Sequence, residues 1–144
     1  MPNTFFISDT HFSHANIITF KTSDDKPLRD FSSVEEMDEL MVNNWNEVVK
    51  PQDTVYHLGD VVINRKALPI LDRLSGRKVL IKGNHDIFKL KDYVKYFDDI
   101  RAYKVMTTDS IICSHIPIHP ESLSRWKLNL HGHLHSNTLP DSRY

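Results

Sequence analysis

A chain of 144 residues fits one domain with a single sizeable core, and two domains are not expected. Its hydrophobic fraction of 40%, charged fraction of 26% and formal net charge of -1 describe an ordinary soluble composition, which excludes a bulk polyanion-binding surface and indicates no extended nucleic-acid groove. The N-terminal stretch MPNTFFISDTHF has no basic start, its apolar run is too short for a signal peptide, and no later run approaches a membrane span, so a cytoplasmic protein is expected.

The first apolar run, TFFIS, reads as a strand that ends at Asp9-Thr-His11. Residues 21–30, KTSDDKPLRD, are polar, contain a proline and read as a surface loop. SSVEEMDELMVNNWNEVVK then offers Ser33 as an N-cap with Glu36 three residues on. Val34, Met37, Leu40, Met41, Trp45, Val48 and Val49 follow at helical spacing, which predicts an amphipathic helix with a Met and Trp stripe toward the core. TVYHLG is a second strand, ending at Asp60, and Asn64 to Leu74 a second helix, ended by Ser75-Gly76. KVLIKG is a third strand running into Asn84-His-Asp86, and Phe88 to Phe97 a third helix. Arg101 to Thr107 and Ser110 to Ser114 flank Thr108-Asp109 as a hairpin, and KLNL leads into HGHLH. The single cysteine, Cys113, leaves no intramolecular disulfide or thiolate metal cluster and is assigned to core packing. Helices between the early strands make those strands parallel, so the fold class is α/β, a sandwich of mixed sheets in one domain, residues 1–144.

Every strand ends in a polar cluster. Ligands bind beyond the carboxyl ends of strands in open α/β sheets, so the five clusters are expected to converge on one rim. Together they contribute Asp9, His11, Asp60, Asn84, His85, Asp86, His115, His133 and His135. These are nitrogen and oxygen donors without a thiolate, suited to manganese, iron, zinc, nickel or cobalt. They are too many for one ion and suffice for two bridged by a carboxylate. Taken singly, each has a plainer meaning: Asp9 as an N-cap, Gly59-Asp60 and Gly83-Asn84 as turns, His115 as a core histidine. Gly132, beside His133 and His135, is expected to let the backbone turn sharply.

The ordered set D-x-H, G-D, G-N-H-D, H, G-H-x-H resembles the calcineurin-like metallophosphoesterases, in a small form without a cap. It stands here as Asp9-Thr-His11, Gly59-Asp60, Gly83-Asn-His-Asp86, Ser114-His115 and Gly132-His-Leu-His135, so the resemblance runs from residue 9 to residue 135. Ser114 departs from the glycine common in the fourth motif but leaves the imidazole in place. The resemblance implies an α/β/β/α-type sandwich with a dinuclear metal site at the strand C-terminal ends. One ion would sit on Asp9, His11, Asp60 and His135, the other on Asp60, Asn84, His115 and His133, with manganese as the expected metal. A metal-bridging hydroxide would attack phosphorus directly, between ions about 3.5 to 4 Å apart. His85 would stabilise the phosphoryl oxygens and protonate the leaving alkoxide, with Asp86 orienting its ring.

The expected partner is a small phosphodiester, for instance a nucleotide, or a phosphomonoester. Two readings from other classes are a non-enzymatic metal-binding protein-interaction scaffold of the same fold and a nuclease acting on short nucleic acid. His14, Asn16, His119 and Arg125 are candidate substrate contacts, as are Arg65 and Lys66. His57 is expected as a satisfied core histidine near the site, and His131 is expected to face away from it.

Overall fold

The computed structural model describes residues 1–144. Strands β1 (Thr4–Ile7), β2 (Thr54–His57), β3 (Arg77–Ile81) and β4 (Asp99–Arg101) form a parallel sheet in sequence order. Strands β5 (Tyr103–Met106), β6 (Ile111–Ser114) and β7 (Leu128–Leu130) form a second sheet, with β5 antiparallel and β7 parallel to β6. This is the expected α/β fold, including the hairpin at 107–110; of the two sheets one is parallel throughout and the other is mixed.

The central strands β2 and β3 carry the sheet's buried residues and contribute to cores on both faces, whereas β1 is largely exposed. Val55 and Leu80 join Phe12, Trp45, Leu68 and Tyr93 in the core on the helical side. Val79 and Ile81 point the other way and meet Cys113 of β6, with Tyr56, Met106 and Leu130 around them. That second cluster is the seam between the sheets. Cys113 is fully buried there and its thiol is pushed up to about 11 by burial, so it packs rather than reacts. On the outer face of the second sheet, the layer expected to be α-helical is a short 3-10 helix, Pro120–Arg125, which buries Leu123. Asn129 of β7 pins this crossover: its amide donates to Ile112 C=O (3.0 Å) and Ser114 Oγ (2.9 Å) and accepts from Ile118 N–H (3.0 Å).

Helix α1 (Val34–Val48) starts where Ser33 Oγ accepts from Glu36 N–H at 3.1 Å. The Glu36 carboxylate reaches back to Ser32 N–H (3.0 Å), one residue before the cap. Met37, Val42 and Trp45 are buried, whereas Leu40 and Val48 are 45% and 56% exposed. The apolar stripe is therefore narrower than the spacing predicts: Leu40 falls off its flank, and Val48 overhangs the open edge of β1, near Phe5 and Phe6.

The two shorter helices also differ from expectation. Residues Arg65–Arg73 form a 3-10 helix; Pro69 in its middle disfavours an α-helix, because its ring would clash with the carbonyl four residues back. Only Leu90–Tyr93 of the third helix is α-helical (α2), and turns continue from it, with Tyr96 N–H on Tyr93 C=O. No helix is long and apolar enough to cross a membrane.

Met37→Ala is expected to lower the unfolding free energy by roughly 2 to 5 kcal/mol, and Leu40→Ala by less than about 0.5 kcal/mol, in urea denaturation. Equal losses would mean that α1 faces the sheet along the broader stripe.

Candidate metal centre

Asp9 and His11 follow β1, Asp60 follows β2, Asn84 and His85 follow β3, His115 follows β6, and His133 and His135 follow β7. The first two of these segments zip together by backbone bonds from Asp9 N–H to Gly59 C=O (2.9 Å), His11 N–H to Asp60 C=O (3.0 Å) and Phe12 N–H to Val61 C=O (2.8 Å). Asp9, His11, Asp60, His133 and His135 all have left-handed backbones, with φ of 52°, 48°, 57°, 72° and 53°. Each such residue costs on the order of 1 kcal/mol, and strain of this kind gathers where side chains must be aimed.

Two expectations are corrected here. Gly132 does not make the turn; the positive φ falls on His133 and His135, and glycine is needed because a β-carbon would overlap Asp9 Oδ2 and Ser8 Oγ. Asp86 does not orient the His85 ring. Its buried carboxylate accepts three backbone N–H groups, from Gly83 (2.7 Å), Asp60 (2.8 Å) and Val61 (3.0 Å), and so ties the β3 loop to the β2 loop.

The side chains converge in two groups, Asp9 with His11 and His135, and Asp60 with His115 and His133; within each group the ligand atoms lie within 4.8 Å of one another. Asp60 Oδ2 stands between the groups, 3.6 Å from His11 Nε2 and 3.3 Å from His115 Nε2. Asn84 Oδ1 lies 2.8 Å from His115 Nε2 and 3.0 Å from His133 Nδ1. His115 Nδ1 must carry a proton to donate to Leu58 C=O (2.7 Å), so in the neutral ring its Nε2 presents a lone pair to two oxygens. Asp9 Oδ1 and His11 Nε2 are buried without any hydrogen-bond partner. Ligand atoms that face one another out of water suit a cation, and this donor set fits divalent metals that accept imidazole and carboxylate.

The local charges agree. Burial alone would raise the Asp9 carboxyl, but the His11 and Ser8 side chains and the His133 N–H hold it well below the usual carboxylate range. Burial alone would lower His115, but Asp60 and the Leu58 carbonyl keep its pKa above the ordinary value.

Groups that touch no ligand position brace the loops. His57 is buried, its Nδ1 accepts from Gly59 N–H (3.1 Å), and its Nε2–H therefore donates to Thr10 Oγ1 (2.9 Å), which donates in turn to Val61 C=O (2.9 Å). This is the satisfied core histidine that was expected. Arg29 was not anticipated, because it lies in the polar stretch read as a surface loop. Its guanidinium donates to the backbone carbonyls of Thr10 (2.6 Å) and Asp9, clamping the first ligand loop. Asp38 of α1 accepts from Ser13 N–H (2.9 Å) and Oγ (2.7 Å) on the same loop. A buried aspartate within the helical stripe was the one signal for that contact.

A cleft of about 780 Å³ opens over both groups and is lined by His11, His14, His85, His133 and His135. Of the candidate substrate contacts, only His14 is in it. Asn16 is exposed on the 3-10 helix Ala15–Thr19, His119 caps the helix that begins at Pro120, and Arg125 ends that helix; none lines the cleft. Arg65 pairs with Asp92 (2.8 Å) beside Lys66 in a separate depression. His131 does not line this cleft and stands edge-on to Tyr144 with ring centroids 5.9 Å apart.

Comparison with known proteins identifies the family. The profile of the calcineurin-like phosphoesterases matches residues 3–140, and the chain belongs to that family. An uncharacterized protein from Methanocaldococcus jannaschii is 39% identical over 145 residues, covering 98% of this chain and 74% of the relative. The gene 66 protein of Mycobacterium phage L5 is 36% identical over 91 residues, covering 60% of this chain and 41% of its own. The crystal structure of a protein of unknown function from Aquifex aeolicus superposes with a TM-score of 0.73 at 33% identity, over 93% of this chain and 80% of that one. Members of the family hydrolyse phosphoester bonds with divalent metals.

Two outcomes follow. Gly132→Ala is expected to displace Asp9 and to weaken manganese binding at least about tenfold in a calorimetric titration while leaving the far-ultraviolet circular dichroism intact; wild-type affinity would refute the close-approach role. Burial holds His57 down at about 4, against an ordinary 6.5. The unfolded chain therefore takes up this proton first, so the His57 contribution is complete above about pH 6.5 and falls by roughly 3 kcal/mol as the pH drops to about 4. Urea midpoints measured against pH should lose that part of their slope in His57→Gln.

Proposed function

We propose that this protein is a dinuclear metal-dependent phosphoesterase that hydrolyses small phosphodiesters, with phosphomonoesters as the alternative substrates. The observation that carries the reading is the position of Asp60 Oδ2 between His11 and His115. Asp9, His11, Asp60 and His135 would hold one divalent ion, and Asp60, Asn84, His115 and His133 the other, with manganese the first metal to test. When bound, two such ions neutralise phosphoryl charge and lower the pKa of a shared water toward neutrality.

The chain's own groups supply the rest. His85 N–H donates to Asp60 Oδ1 (2.9 Å), which fixes that carboxylate by one oxygen and leaves the other for the metals. The same bond locks the His85 backbone at the mouth of the cleft, its ring edge-on to His11 with centroids 5.8 Å apart. No side-chain partner holds that ring, so it can turn to a phosphoryl oxygen and then deliver a proton to the departing alkoxide. This exposed histidine, in a cleft that already has its ligands, favours hydrolysis over a scaffold role, which has no use for a proton donor there.

Asp60→Ala is expected to leave fewer than two manganese ions per chain by elemental analysis and to abolish turnover of bis-p-nitrophenyl phosphate; two ions retained with normal turnover would refute the bridge. His85→Ala should keep both ions and slow hydrolysis of esters with alkoxide leaving groups by about 10²–10⁴-fold, and of p-nitrophenyl esters by less. A wild-type protein that binds two ions yet cleaves neither the diester nor p-nitrophenyl phosphate would be the scaffold instead.

A further inference from the structure

Residues 14–28 build one wall of the cleft, and that wall contains a group which the hydrolytic reading does not use. The 3-10 helix Ala15–Thr19 buries Ile17, and Phe20 follows it with 46% of its surface exposed. Phe20 is fixed in place: its N–H donates to Ile17 C=O (3.3 Å), its C=O accepts from Leu28 N–H (2.8 Å), and a bridge from Lys21 to Pro27 closes the loop beyond it. Its ring stands edge-on to His14 with centroids 5.7 Å apart, and the His14 ring lies 5.4 Å from that of His11. Phe20 belongs to neither core cluster. A large apolar ring is thus held in the lining of the cleft, one histidine away from the ligand groups and outside both core clusters.

The rest of the cleft indicates what such a ring would meet. Its volume of about 780 Å³ lies in the range of small-molecule sites and far exceeds a phosphate. Ile63 and Leu134 add apolar surface, while Ser23 and Asn137 offer hydrogen-bonding edges. Lys21 is the one lysine or arginine in the lining, and its ammonium is paired with Asp25 at 2.8 Å. The wall therefore provides stacking and neutral hydrogen bonds but no free fixed cation for a second phosphate or a polyanionic chain.

We infer that the site takes phosphoesters whose organic substituent is a planar aromatic ring, packed on Phe20 while the phosphoryl group lies at the histidine and aspartate cluster. This rests on the phosphoesterase reading above and adds to it a substrate class and a specificity-determining residue. A nucleobase and a simple aryl group share this chemistry, and ligands without a cleavable ester separate them.

Calorimetric titration of the manganese-loaded protein with methylphosphonate, phenylphosphonate and a nucleoside 5′-phosphonate tests the inference, with turnover of bis-p-nitrophenyl phosphate followed in parallel. Phenylphosphonate is expected to bind at least about tenfold more tightly than methylphosphonate, and Phe20→Ala to bring that ratio close to one. A nucleoside phosphonate tighter again would identify the ring as a nucleobase, and one equal to phenylphosphonate would identify a general aryl site. Equal binding of the methyl and phenyl compounds, or a preference that survives Phe20→Ala, would overturn the inference. Ring-dependent binding without turnover would remove the hydrolytic reading and keep the ring site; turnover without ring preference would do the reverse.

Discussion

Two carboxylates and four imidazoles meet at one rim with almost no hydrogen-bond donor among their facing atoms, and the rest of the structure is organised around keeping them there. In water each group would be solvated; out of it, facing acceptors raise one another's energy. The chain meets this by holding each aspartate through one oxygen with a backbone N–H, from His133 to Asp9 and from His85 to Asp60, and leaving the other oxygen aimed inward. The donors come from the main chain, which cannot swing away as a lysine or arginine side chain would. A carboxylate fixed in this manner keeps its negative charge and its direction together.

That solution needs loops that cannot relax, and the bracing groups are spread well beyond the rim. Asp86 gathers three N–H groups from the β2 and β3 loops, His57 and Thr10 join the β1 and β2 loops, and Arg29 and Asp38 hold the first loop. Five of the ligand residues keep left-handed backbones within this frame. Such strain persists only where the surroundings over-determine it, and here it sets the ligands in position before any ion arrives.

Most of the strands, and the convergence of polar residues beyond them, were legible in the sequence because both follow short-range rules, but β4 was not: its Arg101 was read into the strand that follows. An apolar run buried on two faces is hard to mistake, and a polar cluster after every such run indicates a shared rim without any distance being known. What could not be read depended on contacts between distant segments. Arg29 sits among lysines and aspartates that are solvated, and only the approach of the first ligand loop distinguishes it. Asp86 follows His85 directly, yet its partners belong to another strand's end, so adjacency misleads. Gly132 looked like a turn residue because glycine usually is one, whereas its lack of a side chain makes room for Asp9 from the opposite end of the chain. The segment at 64–74 was read as a helix from its apolar spacing, but the ring of Pro69 disfavours the α form there and the chain takes a 3-10 form.

The wall between His14 and Arg29 is attached at both ends to the metal-binding loop, at one end by chain continuity through Ser13 and Asp38 and at the other by the guanidinium of Arg29. Everything between those anchors faces the cleft or the solvent, apart from Ile17. A segment closed at both ends in this way can change length and sequence in its middle without loosening its footings. The middle of the wall can therefore vary without disturbing the rim of aspartates and histidines beside it.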